Sequence, residues 1–177
     1  MSANTSLGGY CGKVLRVDLT SGSCTAEPLD LPAARKYIGG RGLGTYYLMK
    51  EVDPTVDPLS AENKLMLVTG PLTGAPVPTS GRYMAVTKSP LTGAVASSNS
   101  GGHWGAELKS AGWDMIIVEG VSETPVYISI SDDKVEIRDA ASCWGKLVGE
   151  TTDVLLEESG DPKARVLAIG PAGEKRS

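Results

Sequence analysis

The sequence contains no phenylalanine and one histidine, His103. Aliphatic side chains, tyrosine and tryptophan must therefore fill any core. A lone histidine beside Trp104 is read as a packed or surface residue, and no Ser/His/Asp set, carboxylate pair or metal-ligand cluster is recognisable. Cysteine is scarce: Cys11, Cys24 and Cys143 are odd in number and widely spaced. They make neither a disulfide framework nor a CxxC site, so a reducing cytoplasm is expected. Basic residues are in no excess, with 17 Lys and Arg against 21 Asp and Glu, a net charge of −4. Nucleic acid and membrane surfaces, which bind clustered cations, are thus not expected partners. No apolar run approaches the roughly 18 residues of a membrane span. The start, MSANTSLGGYCGK, has no basic segment followed by an apolar one, so no secretory signal is expected.

What the chain does have is a 41% apolar composition over 177 residues. A globule of that size buries roughly 70% of its unfolded surface. It also has 22 glycines and 11 prolines, most densely from Gly70 to Lys109. Pro-Leu-Thr-Gly occurs twice there, at Pro71–Gly74 and Pro90–Gly93. Proline presets one turn dihedral and glycine permits the positive one, so each copy reads as a rigid corner. Asn99-Ser100-Gly101-Gly102 then leads into an expected short helix, His103 to Ala111. A glycine turn feeding a helix start aims unpaired N–H groups one way, which suits an anion such as phosphate. The plainer reading is an ordinary helix entry with Asn99 or Ser100 as N-cap. A helix dipole contributes only about 0.3–1 kcal/mol to an exposed anion, while a millimolar ligand needs about 4 kcal/mol. A further donor is required, and Arg82 lies between the two corners. Its plainer reading is a surface ion pair, for which no local partner is present.

Along the chain, Lys13–Leu19 alternates, with Leu15, Val17 and Leu19 facing one way. Ser21-Gly22 turns it, and Ser23–Leu29 returns as a second strand. Asp30–Ile38 is an expected helix stopped at Gly39-Gly40, and Leu43–Glu51 a second one. Gly39–Gly44 has GxGxxG-like spacing but follows a helix, not a strand, so a helix–helix corner is preferred to a dinucleotide site. Lys64–Thr69 and Met115–Glu119 read as buried strands. Val126–Ser131 and Lys134–Arg138 form a second hairpin, Gly149–Glu158 a helix, and Arg165–Ile169 a strand entering Gly170-Pro171-Ala172-Gly173. Hairpin, helix, strand and corner thus occur twice: Gly70 and Gly170 are 100 residues apart, Val14 and Val126 112. An α+β, β-rich domain of two pseudo-symmetric hairpin–helix–strand halves is expected over residues 13–177, after a polar tail at 1–12. Glu107 and Lys109 read as a solvated helix face; Trp104, Trp113 and Trp144 as core or interface.

GGRGLG (39–44), DPTVDPLSAENKL (53–65), GPLTGAPVPTSGRY (70–83), TKSPLTG (87–93), NSGGHWGAELKSAGWD (99–114) and IGPAGE (169–174) occur in this order. The series resembles the N-terminal domain of the tungsten-containing aldehyde ferredoxin oxidoreductases, over about Gly12 to Glu174. Benzoyl-CoA reductase subunits of the same superfamily share the layout less closely. The resemblance implies a base on which a tungsten (or molybdenum) bis-pterin cofactor rests. It further implies that Arg82, Asn99, Gly101 and Gly102 contact one pterin and its phosphate, and that Asn99 helps hold the Mg2+ bridging the two pterin phosphates. The implied chemistry is aldehyde plus water to carboxylate, with electrons passing through a 4Fe–4S cluster to ferredoxin. The second pterin loop, the four cluster cysteines and the later domains have no counterpart here. The resemblance therefore implies a domain incomplete at its C-terminus, from truncation, a split gene or a degenerate copy, and inactive alone. Missing C-terminal domains or a partner subunit, and a homo- or hetero-oligomer, are the expected partners, with ferredoxin only for a complete enzyme. The alternatives are a non-catalytic binding or assembly module derived from this domain, and, more distantly, a generic phosphate or nucleotide binder.

Overall fold

A computed structural model describes residues 8–175; the first part of the expected tail and Arg176-Ser177 lie outside the described residues. Two strands open the fold, β1 (Lys13–Asp18) and β2 (Ser23–Pro28), paired antiparallel from Lys13↔Pro28 to Asp18↔Ser23. Asp18 organises the turn by accepting the Thr20 and Ser21 N–H groups at 2.8 and 3.3 Å. Both faces of β1 are covered: Val14 belongs to one apolar cluster, Leu15 and Val17 to the other. The alternation of β1 thus separates two cores rather than core from solvent.

Helix α1 (Leu31–Tyr37) starts at Asp30, whose Oδ1 accepts the Ala33 N–H at 2.9 Å, with proline in the first turn. Helix α2 (Gly40–Glu51) follows after a two-residue corner. Gly44 explains why α2 lies so close to the sheet: a Cβ there would meet Val86 Cγ2 at 2.8 Å and Val68 Cγ2 at 3.0 Å. The GGRGLG run is therefore a helix–helix corner and a packing face.

Strand β3 (Leu65–Thr69) enters the first Pro-Leu-Thr-Gly corner, and β4 (Tyr83–Lys88) and β5 (Val95–Ser100) form a hairpin around the second. Helix α3 (Trp104–Ser110) leads to β6 (Met115–Glu119). The main sheet has the order β2-β1-β6-β3-β4-β5, with β1 and β6 parallel and the other pairs antiparallel. On one face α1 and α2 bury Leu43, Tyr47 and Leu48 against Val14, Met66 and Ile117. Leu43 is almost wholly buried, so truncation to alanine costs about 2–5 kcal/mol. On the other face, α3 and a separate two-stranded hairpin, β7 (Val126–Ser131) and β8 (Lys134–Asp139), cover Leu15, Val17 and Ile116.

Helix α4 (Val148–Ser159) follows, then a short α5 (Gly170–Glu174). The architecture is mixed α+β; a second hairpin and helix follow in the expected chain order, but β7 and β8 form their own two-stranded sheet where β1 and β2 join the main one. Arg165–Ile169 departs from the expectation. Its burial alternates, but it is not a strand, because among the described residues it has no pairing partner. The side chains of Leu167 and Ile169 remain 48% and 68% exposed.

Candidate functional site

The site grows from the end of the β4–β5 hairpin. The register Tyr83↔Ser100 and Met84↔Asn99 sets Arg82 beside the segment that leaves β5. Arg82 Nη1 donates to Asn99 Oδ1 at 3.2 Å, and Nε lies 4.0 Å from where a Gly101 Cβ would stand. Arg82, Asn99 and Gly101 are therefore adjacent. Gly81 passes so near this bend that its Cβ would sit 2.1 Å from the Gly102 carbonyl oxygen. Gly102 has φ +86°, and nothing lies within 4 Å of its missing side chain, leaving backbone open to a ligand.

Two details differ from the sequence expectation. Asn99 and Ser100 close β5 instead of beginning the turn, and neither caps α3. The N-cap is His103, without a side-chain cap. The reason is pairing: once β4 is in place, its ladder runs to Ser100 and leaves only Gly101–His103 for the bend. Helix α3 spans seven residues, so its dipole is a minor attraction for an anion. Among the described residues Arg82 forms no ion pair. The surface-pair reading of this arginine is thus without a partner.

Beside Arg82 lies a hollow of ≈ 360 Å³. Its lining includes the buried Val68, Tyr83 and Met84, with Pro71 and Thr73 forming one part of its wall and Ile38 another. The Thr73 hydroxyl donates to the Arg82 carbonyl at 2.9 Å and accepts the Gly70 N–H at 2.9 Å, tying the corner to the arginine. Gly39 lets these two parts approach, since a Cβ would stand 2.9 Å from Gly70 Cα.

Two polar clusters escaped the sequence reading. Lys109 is no solvated residue: its Nζ contacts Asp114 Oδ1 at 2.6 Å, with side-chain exposures of 10% and 4%. The Asp114 carboxylate also accepts the Cys11 and Gly12 N–H groups at 3.1 and 2.7 Å. Burial, then Asp114, raises the Cys11 thiol and the Tyr10 phenol above their ordinary values, so both stay protonated near neutral pH. At the far end of the sheet, Arg16 binds Glu27, Glu51 and Glu119 at 2.6, 3.0 and 3.0 Å, and Lys64 binds Glu51 and Glu119 at 2.9 and 2.6 Å. The available signal was charge on the inward positions of β1 and β6, which an isolated strand pattern assigns to solvent.

No group of three or more His, Cys, Asp or Glu side chains converges on a metal position among the described residues. The three cysteines are unpaired. Cys11 is exposed, Cys24 half-buried in β2 and Cys143 buried after β8, so the described residues do not fit a cysteine-ligated cluster. No helix among them is long and apolar enough to cross a membrane.

Residues 14–177 match the profile described as aldehyde ferredoxin oxidoreductase, N-terminal domain. The chain belongs to this family. It is 58% identical over 168 residues to the tungsten-containing aldehyde ferredoxin oxidoreductase of Pyrococcus horikoshii, covering 95% of this chain and 28% of that protein. It is 41% identical to the aliphatic sulfonate oxidoreductase, WOR-like subunit, of Pyrococcus furiosus, over 94% of this chain and 29% of that one. Among solved structures, the active-site complex BamBC of benzoyl coenzyme A reductase with 1,5-dienoyl-CoA aligns at TM-score 0.93 and 43% identity, covering 95% of this chain and 26% of the other. The chain spans a little over a quarter of these relatives' length. The aldehyde ferredoxin oxidoreductase N-terminal domain thus accounts for nearly all of it.

Proposed function

We propose that this domain is the cofactor-cradling N-terminal part of an aldehyde:ferredoxin oxidoreductase, and that Arg82, Asn99, Gly101 and Gly102 grip one pterin and its phosphate. The observation that carries the reading is the exposed Arg82 guanidinium held by Asn99 beside the open Gly101-Gly102 backbone. The fit is chemical: one Arg82 N–H reaches Asn99, leaving the rest of its planar fork for phosphate oxygens. Glycines at 101 and 102 let a bulky anion approach the main chain. Asn99 offers Mg2+ a single neutral oxygen, so in this reading the phosphates supply the anionic ligands the ion prefers.

When bound, the tungsten (or molybdenum) centre supplies the two-electron oxidation of aldehyde and water to carboxylate. This chain's residues position it and keep its phosphate charge compensated. No electron step is assigned through a 4Fe–4S cluster here, because the described residues do not fit its ligands; ferredoxin is a partner only of a complete enzyme. The exposed Trp144, Leu147 and Ile169 favour cover by further domains or by a partner subunit in a homo- or hetero-oligomer. The unpaired cysteines fit a reducing cytoplasm. A non-catalytic assembly module would keep the same exposed apolar surface and lack the cofactor.

Elemental and pterin analysis of the purified chain tests the proposal. Arg82→Ala should weaken retention by about 1.5–3 kcal/mol, the range for a hydrogen bond to a charged group. Equal tungsten or molybdenum in wild type and variant would make Arg82 structural only.

A further inference from the structure

Ile38, a β-branched residue, sits at φ 68°, ψ −64°. Gly39 N–H closes a γ-turn around it onto the Tyr37 carbonyl at 2.8 Å. This positive-φ γ-turn is rare and strained, more so for a branched side chain. The side chain is 63% exposed, so its own burial does not hold the turn. Yet Ile38 forms part of the wall of the hollow beside Arg82. Strain of this kind persists only where surrounding contacts over-determine it.

The contacts come from the segment that precedes β1. The Tyr10 hydroxyl donates to the Ile38 carbonyl, with the Ala34 carbonyl 3.3 Å away. Tyr10 is fixed in turn by the buried Lys109–Asp114 pair. Asp114 accepts the N–H groups of Cys11 and Gly12. Lys109 Nζ donates to the Gly9 carbonyl at 2.6 Å and lies 5.6 Å from the Tyr10 ring centroid. Gly9 packs against Pro71, which also lines the hollow, because a Cβ there would meet the Pro71 carbonyl oxygen at 2.6 Å. One short segment therefore contacts both parts of the hollow's wall and is anchored by an ion pair outside it.

We propose that Gly9–Gly12 is a brace that sets the shape of the hollow, and that Tyr10 is a positioning residue acting on the ligand through the Ile38 turn. Only the ligand's identity rests on the function proposed above; the brace itself does not. Tyr10→Phe removes the hydroxyl and keeps the ring. In the full chain, amide exchange at Gly39, whose N–H closes the turn, should accelerate by about tenfold, the usual worth of one hydrogen bond in a local opening equilibrium. The global denaturation midpoint should stay near wild type, and tungsten retained per chain should fall. Glycine holds positive φ without strain, so Ile38→Gly should shrink the effect of Tyr10→Phe on both readouts. A merely structural tyrosine would lower the midpoint and show no such rescue.

Unchanged exchange at Gly39 in Tyr10→Phe overturns the brace. Faster exchange with unchanged tungsten overturns its positioning role. Tungsten lost in Arg82→Ala but kept in Tyr10→Phe refutes the positioning role of Tyr10 and leaves the cofactor reading standing. If Arg82→Ala has no effect on tungsten while Gly39 exchange responds to Tyr10→Phe, the cofactor reading fails and the brace stands.

Discussion

The Gly102 carbonyl oxygen occupies the space that any side chain on Gly81 would need, 2.1 Å from the Cβ position. This close approach brings Arg82, the residue that enters β4, against the bend that leaves β5. Because the obstacle is backbone, Gly81→Ala cannot be relieved by a rotamer change. We expect a cost of about 1–3 kcal/mol, as for overpacking, read as a lower denaturation midpoint, together with loss of the Arg82–Asn99 contact. A midpoint equal to wild type would show that the two segments separate easily.

Gly44→Ala sets two effects against each other. Alanine gains about 1 kcal/mol of helix propensity over glycine. The added methyl, however, meets Val86 and Val68 at 2.8 and 3.0 Å, and branched side chains in a packed sheet have little room to yield. Overpacking of about 1–3 kcal/mol should win, so thermal melting should show net destabilisation. A stabilised variant would mean α2 can shift away from the sheet.

Glu51 and Lys64 bound a pH plateau. Burial disfavours both charges. Hydrogen bonds from Arg16 and Lys64 nevertheless hold the Glu51 carboxyl below its ordinary 4.5, and those to Glu119 and Glu51 hold Lys64 above its ordinary 10.5. The depressed carboxyl contributes stability that is present above 4.5 and lost as pH falls through its folded value. The raised ammonium contributes below 10.5, and that share is lost as pH rises through its folded value. Calorimetry should find a melting temperature that falls outside this window, with a shallower acid limb in Glu51→Gln. An acid limb unchanged in that variant would remove Glu51 from the account.

The β1–β2 and β7–β8 hairpins, helices α1 to α4 and the apolar strands β3 and β6 were legible in the sequence, because alternation, apolar runs and turn formers agree there; the β4–β5 hairpin and α5 were not. Nor was the strand character of Asn99. VASSNS has weak strand propensity, and its conformation comes from pairing with β4. Arg165–Ile169 erred the other way: an apolar run reads as a strand, but strand formation needs a neighbour. Lys109 looked solvated because its partner Asp114, five residues on, lies beyond the helix, and the Gly9–Gly12 segment that helps bury the pair is about 100 residues away in sequence. Arg82 beside Asn99 and Gly101 was legible as turn chemistry plus a cation with no local counter-ion. The hollow next to it was not, since it depends on the Ile38 turn and on Gly39 against Gly70.

The purified chain should show no aldehyde-dependent viologen reduction. The described residues provide one proposed phosphate grip and no converging cluster ligands. Turnover above a protein-free control would contradict this.

The most direct measurement is a crystallographic anomalous map at the tungsten edge for cofactor-bearing protein, with the phosphate positions refined. The account predicts a pterin phosphate within hydrogen-bond distance of the Arg82 guanidinium, beside Gly101 and Gly102. A metal and phosphate located elsewhere, with Arg82 still engaged only by Asn99, would contradict it.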